Sequence, residues 1–199
     1  MSSVYIVRCN FVRPDLEAQW HGWYNGWKMD DMLGKPMFVS GQRFAAAGMD
    51  QTVKYLALWV IQSPDALSTP EYKANWGFAE WAPHIGNWSR NLYRAPEGDL
   101  SGSVGVSQGG GLYVAALDGV LAAEAEARLL ALERERPEML WMPVVGLDRS
   151  CPAIGLQAFA ELDRPPRPLP GNLSGGIRET IYKRITAYRR ATSTARPVP

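Results

Sequence analysis

The chain has 199 residues, 46% of them hydrophobic, enough for the core of one large domain or two small ones. Its 21 basic and 20 acidic residues leave a formal net charge of +1, and no run of lysine or arginine is long enough to track a phosphate backbone, which argues against nucleic acid as a partner. No stretch approaches the ~20 apolar residues needed to cross a bilayer, and the N-terminus shows no basic leader before a small-residue cleavage site, so the expectation is a cytoplasmic protein that does not engage a membrane.

Residues 4–12 alternate Tyr5, Val7, Cys9 and Phe11 against Ile6, Arg8 and Asn10, the pattern of a strand with one apolar face. Pro14 opens a helix, with Asp15 and Glu17 in its first turn where the dipole favours anions, and Gly34 and Pro36 end it. This helix is the element around which the chain is organised. Its spacing places Leu16, Trp20, Trp23 and Trp27 on one apolar stripe and brings His21, Asn25 and Lys28 together at i, i+4 and i+7. Gly22 and Gly26 each cost a helix about 1 kcal/mol relative to alanine, which the close approach of a backbone or ligand would explain.

Strands follow at 37–47 and 54–62, the latter apolar on both faces as expected of a strand covered on both sides. Turn signals at Ser63-Pro64-Asp65 and Ser68-Thr69-Pro70 lead to a short helix over 71–81, and 84–94 enters a fourth strand around Leu92. The order β-α-β-β-α-β is the ferredoxin-like plan, an antiparallel sheet with helices on one face. Residues 96–111, rich in glycine and serine, read as a linker. The pattern then restarts with a strand at 112–117, a helix at 120–136, strands at 139–147 and 154–162, and a proline-rich loop at 164–170. The segment 176–188 fits either a helical face through Ile181, Ile185 and Tyr188 or a strand; the echo of Arg90-Asn91-Leu92-Tyr93-Arg94 in Glu179-Thr180-Ile181-Tyr182-Lys183 favours the strand and a degenerate internal repeat. The expected organisation is a repeat over 1–95, the linker, a second repeat over 112–190, and a polar tail over 191–199, loose or draped on the surface.

The two cysteines stand in a predicted strand (Cys9) and in a turn before Pro152 (Cys151), no disulfide framework, and Cys9 reads as a buried free thiol. The two histidines can be weighed singly. His21 shares its helix face with Asn25 and Lys28, an arrangement able to move one proton while donors hold an oxyanion; the competing reading is a solvated face. Tyr24, Lys28 and Asp31 form a second polar line, with Lys28 and Asp31 spaced for an ion pair. His84 lies between Trp81 and Trp88, an aromatic wall with a polar insert, or simply a loop histidine packed on tryptophan. Of the eight tryptophans, Trp20 and Trp23 are assigned to packing, and Trp27, Trp81 and Trp88 to pocket walls. No His-x-x-x-His or Cys-x-x-Cys spacing suggests a metal, and no glycine motif follows a strand as a dinucleotide fold requires.

On Trp23-Tyr24-Asn25, Asp31, Leu33, Pro36-Met37-Phe38, Arg43-Phe44, Tyr55-Leu56-Ala57-Leu58 and the run Ser63-Pro64 through Tyr72, the chain resembles the dimeric α+β barrel superfamily, and most closely its EthD-like members. The resemblance covers most of the first half; the second half matches in layout. It implies an α+β fold of tandem ferredoxin-like repeats forming an intrachain dimeric α+β barrel, with a pocket between each sheet and its first helix, and a chain that pairs again as a homodimer. Members include cofactor-free monooxygenases, cyclases, isomerases and haem enzymes, so the fold does not name a reaction. Many relatives carry a histidine where Lys28 stands, so the base in this chain would be Lys28 with its pKa depressed by burial, or His21. The reading is a cofactor-free enzyme acting by proton transfer on a small aromatic or polyketide-like molecule, with His21, His84, Lys28 and Tyr24 as catalytic candidates and Asn25, Trp27, Asp31, Trp81 and Trp88 as binding candidates. Haem held by His84 or His21 is a family-based alternative, and a non-catalytic binding or barrel-completing subunit is the alternative function.

Overall fold

The computed structural model describes residues 2–48 and 52–192. Four strands of the first half, β1 (Ser3–Phe11), β2 (Phe38–Ala46), β3 (Tyr55–Ile61) and β4 (Ile85–Arg94), form an antiparallel sheet in the order β4-β1-β3-β2. Those of the second half, β5 (Gly111–Ala116), β6 (Leu140–Leu147), β7 (Ala153–Phe159) and β8 (Arg178–Arg184), form another in the order β8-β5-β7-β6. Numbered within its own half, each sheet reads 4-1-3-2, the ferredoxin-like order. Antiparallel pairing of β4 with β6 and of β2 with β8 closes the two into one eight-stranded barrel, an α+β fold. A short β9 (Arg189–Arg190) adds to β2 at Gly41 and Ser40.

The period-2 pattern decides which side chains fill the barrel. Val4 and Ile6 point inward with Phe44, Leu56, Leu58 and Val60 from the first sheet and Leu112, Val114, Ile154 and Leu156 from the second. The interior is therefore a solid core. The odd residues Tyr5, Val7, Cys9 and Phe11 face outward beneath the first helical segment. In the second repeat, α5 (Ala122–Glu135) covers the outer face through Ala125, Leu129 and Leu132, with Trp141 and Leu169 completing the layer. Both sheets carry the same packing device. Trp59 lies over Gly41 and Trp141 over Gly155, each across a strand pair, and a Cβ on either glycine would fall 2.3 or 2.5 Å from the ring.

The stretch 96–111 is more than a linker. It contains α4 (Ser101–Val104), and Leu100, Val104 and Val106 are buried in the barrel core. The Gln42 amide donates to Val106 O and Thr186 O at 2.9 Å and accepts from Val106 N at 2.9 Å, fastening the crossing to β2. Its apolar residues, set among glycine and serine, supply the docking. The helix expected at 71–81 is also shorter. Only α3 (Pro70–Ala74) is helical, capped by the Thr69 hydroxyl at 3.2 Å from Tyr72 N. Asn75 leaves the helical region, Gly77 does not favour it, and a 3₁₀ turn (Ala79–His84) with Pro83 inside it leads to β4. The segment ambiguous between helix and strand is β8, and β4 begins well before Leu92. Of the tail at 191–199, Ala191 N donates to Val39 O at 2.8 Å, and residues 193–199 lie outside the described residues. Both cysteines are free and buried, and no helix among the described residues is long and apolar enough to cross a membrane.

One buried ion pair ties the repeats together: Arg8 of β1 donates to both oxygens of Asp118, just after β5, at 3.0 and 2.6 Å. A buried guanidinium left without its carboxylate is costly, whereas removing both charges together is far less so. Asp118→Ala is expected to destabilise the fold by about 3–5 kcal/mol, with most of the loss recovered in the Arg8→Met/Asp118→Leu double variant. Chemical denaturation of the single and double variants checks this.

Candidate active site

The first helix is not uniform. α1 (Glu17–Trp23) runs into a π-helical turn, Tyr24–Lys28, and then into α2 (Met29–Leu33), with Met29 N–H reaching back five residues to Tyr24 O. Such turns insert one residue and rotate everything downstream. The expected stripe and polar face are therefore both broken. Trp20 is wholly buried, Trp23 only partly, and Trp27 is 49% exposed, stacked on Trp23. His21, Asn25 and Lys28 point to three different neighbours. No backbone or side chain comes within 4 Å of a Cβ built at Gly22 or Gly26, so close packing does not explain these glycines.

The turn leaves a cleft between the helix and the outer face of the first sheet. Tyr24, Lys28 and Met32 form the helix side, and Tyr5, Val7 and Trp59 the floor. Tyr72, the segment Trp76-Gly77-Phe78, and Trp88 of β4 form the far wall. The cleft measures about 330 Å³ with the solvent-open space included, and is so narrow that it has room for about one water.

Lys28 sits at the foot, 3% exposed. Its Nζ donates to Asn75 O at 2.7 Å and Trp76 O at 3.4 Å and lies 3.6 Å from the Asp31 carboxylate, which Lys35 also engages at 3.0 Å. Burial brings the Lys28 pKa down to about 8; Asp31 opposes the shift and Lys35 adds to it. Tyr24 is buried, which raises its pKa, while the Arg43 guanidinium, 3.7 Å from the ring centroid, works the other way. Arg43, on β2, is 1% exposed, lies 4.7 Å from the Trp20 ring and donates Nη1 to Asn25 Oδ1. Among the described residues no carboxylate pairs with it, and burial lowers its pKa to about 10. At the mouth, Trp76 and Trp88 stack at 6.2 Å, and Arg90, ion-paired to Asp148 at 3.6 Å, lies 4.3 Å from the Trp76 ring centroid.

Of the residues singled out from the sequence, Tyr24, Lys28 and Trp88 line this cleft, and Asp31 and Asn25 stand behind them, on Lys28 and on Arg43. The other four lie elsewhere. Trp27 projects outward, while Trp81 packs near Phe11 and Trp23. His84 closes the 3₁₀ turn with its ring 6.0 Å from Phe11. His21 reaches Tyr55 OH at 3.3 Å, and that hydroxyl donates to Glu17 at 2.6 Å, with Lys54 also on Glu17 at 2.9 Å. The tyrosine proton being committed to Glu17, His21 Nε2 is the donor and Nδ1 the bare nitrogen, buried without a partner. Neither histidine faces the cleft, so the arrangement offers no imidazole to a haem iron there. Among the described residues no three His, Cys, Asp or Glu side chains converge as a metal site. Tyr5, Arg43, Tyr72, Trp76, Phe78 and Arg90 were not anticipated as site residues. The outward phase of Tyr5 and the lone arginine within the apolar β2 were the only signals available.

No family model matches the sequence, and no curated protein matches it. Solved structures do. The chain aligns with the crystal structure of an anthrone oxidase-like protein at a TM-score of 0.57 and 9% identity, covering 100% of this chain and 97% of that one. It aligns with a putative monooxygenase from Lactobacillus acidophilus NCFM at 0.52 and 9%, covering 96% and 100%, and with one from Fusobacterium nucleatum subsp. nucleatum at 0.50 and 12%, covering 96% of each. At these identities the likeness establishes a shared fold, a closed barrel built from two ferredoxin-like sheets.

His21 generates a prediction. Burial first, then the charge of Arg43, lowers its pKa from 6.5 to about 4. Between those values the unfolded chain takes up a proton that the folded chain refuses, so stability falls as pH drops through this window and levels off below it. His21→Gln is expected to lose less stability than the wild type between pH 7 and pH 4, measured by urea denaturation across that range.

Proposed function

We propose that the protein is an enzyme that works without a bound cofactor, removing a proton from a small planar aromatic or polyketide-like molecule seated in the cleft and passing the resulting carbanion to dioxygen. The observation that carries this reading is Lys28, an amine buried at the foot of an aromatic cleft whose pKa lies close enough to neutrality for it to act as a base. Tyr24 beside it supplies a hydroxyl that burial keeps protonated, a donor to a developing oxyanion. The narrower EthD-like kinship belongs to the same reading.

The names of the fold neighbours guide the choice of first substrate. For anthrone the balance is anthrone + O₂ → anthraquinone + H₂O. Lys28 Nζ takes one of the two protons at the central carbon, and the carbanion forms a C–O bond to dioxygen, which becomes a hydroperoxide on protonation. The second C–H bond then breaks as the O–O bond cleaves, leaving the ketone and water. Four electrons leave the carbon and four reduce the oxygen. Isomerase, lyase or cyclase chemistry would begin with the same proton abstraction and consume no oxygen. A second reading, a binding protein without turnover, is favoured by a cleft lining that includes no histidine.

Anthrone turnover is expected to consume one O₂ per quinone formed. Lys28→Met should lower kcat/KM by about 10²–10⁴-fold, while His21→Ala and His84→Ala keep most of the activity. Because the neutral amine is the active form, kcat/KM should rise with pH and level off above about 8. Loss of turnover in His21→Ala with Lys28→Met still active would overturn the assignment of the base. Saturable binding without turnover across a panel of anthrones, phenols and enols would establish the second reading.

A further inference from the structure

Lys28 has a second engagement that the proposed chemistry does not use. Its ammonium is satisfied by two consecutive main-chain carbonyls, those of Asn75 and Trp76, at 2.7 and 3.4 Å. These belong to the strap 75–78 between α3 and the 3₁₀ turn, which crosses the cleft and contributes Trp76, Gly77 and Phe78 to its wall. The strap is lightly attached. Among the described residues, the backbone amides of Trp76 and Gly77 donate to no other backbone group, and at its start Asn75 N reaches only Tyr72 O, one turn back. Its ends are built to swing. Asn75 has left the helical region, Ala79 holds a left-handed φ of 48°, and Gly77 has open space around it. What holds it, apart from Lys28, is ring packing and one cation: Phe78 lies 6.4 Å from Tyr24 and 6.3 Å from Trp88, and Trp76, 39% exposed, stacks on Trp88 with the Arg90 guanidinium 4.3 Å from its ring centroid. The cleft as it stands has room for about one water, so a ring system enters only if a wall such as the strap moves away.

We propose that the strap is an internal stand-in for the substrate: its carbonyls occupy the acceptor position on Lys28 that a carbonyl or phenolic oxygen of an incoming planar aromatic ligand takes over, and that exchange opens the cleft. This rests on the reading of the cleft as the substrate site and adds to it the chemistry of recognition. The ligand must bring an oxygen acceptor to Lys28, because a bare hydrocarbon would displace the strap and leave a buried ammonium with fewer partners. Trp76 and Trp88 then supply ring faces at the mouth. The device excludes ligands by requiring one polar atom, a sharper filter than hydrophobic fit alone.

The test uses 1-naphthol and naphthalene, the same rings with and without the oxygen, followed by quenching of tryptophan fluorescence, together with hydrogen exchange of the Asn75 amide, the bonded one at the strap's start, corrected for intrinsic rate. Wild type should bind 1-naphthol about tenfold or more tightly than naphthalene, the discrimination expected of one hydrogen bond to a charged group. Saturating 1-naphthol should speed exchange at Asn75, the reverse of ordinary ligand protection. In Lys28→Met the preference should collapse and exchange at Asn75 should rise about fivefold or more without ligand. Phe78→Ala, which loosens the strap and leaves Lys28 in place, should raise exchange equally and keep the preference, so the proposal is tested even if Lys28→Met does not fold. Slower or unchanged exchange on adding 1-naphthol, or an equal affinity for the two probes in wild type, would overturn it. None of these readouts requires turnover. Loss of activity in Lys28→Met with unaltered exchange would leave the catalytic reading standing and remove the strap from it, whereas probe discrimination and strap release without activity would do the reverse.

Discussion

The structure depends on closing two sheets into one barrel along seams that are each only three residue pairs long. Hydrogen bonds along such short seams are too few to hold the halves together, so cohesion has to come from the shared interior. Either sheet alone would expose an apolar inner face to water; together they bury Val4, Ile6, Leu56, Leu58, Leu112, Val114, Ile154 and Leu156 against one another. Closure also removes the edges that a four-stranded sheet would leave unpaired. Two polar fastenings inside this assembly, Arg8 with Asp118 and Gln42 with the 96–111 crossing, connect groups far apart in sequence. Their buried hydrogen bonds are satisfied only in this register, which makes them determinants of specificity more than of stability.

A solid interior pushes function to the outside of the barrel. There the first repeat is distinguished by the π-helical turn, which sets Lys28 into the sheet side while Trp27 swings to solvent. The cleft that results is cationic at several points, with Lys28 at its foot, Arg43 behind Tyr24 and Arg90 under the tryptophans at the mouth. Asp31 and Asp148 partly offset the first and last of these, and among the described residues Arg43 pairs with no carboxylate. A guanidinium in that position is tolerable because two ring faces and one amide oxygen take the place of the missing anion.

Much of the fold was legible because period-2 alternation repeats: Tyr5, Val7, Cys9 and Phe11 against Ile6 and Arg8 define the two faces of β1, and the echo of residues 90–94 in 179–183 identified the fourth strand of each half. Less of the site was legible, for stated physical reasons. A π-helical turn has no residue signature, so a regular helix put His21 on the same face as Lys28. Arg43 reaches Tyr24 and Asn25 from another strand, a contact with no trace in local spacing. Tertiary packing overrode composition twice, in the glycine- and serine-rich crossing that docks through Leu100, Val104 and Val106, and in the presumed helix 71–81 that gives way to a strap after Ala74. Of the residues singled out in the sequence, Lys28, Tyr24 and Trp88 line the cleft.

The duplication is faithful in its frame and unequal in its surface. The tryptophan-over-glycine device occurs in both halves, yet under α5 the face corresponding to the cleft is packed with Tyr113, Leu129, Leu132, Trp141 and Leu169. A symmetric pair of separate chains would offer two equivalent seats. Here the second position is filled by its own side chains, so two halves with one frame meet the solvent with different surfaces.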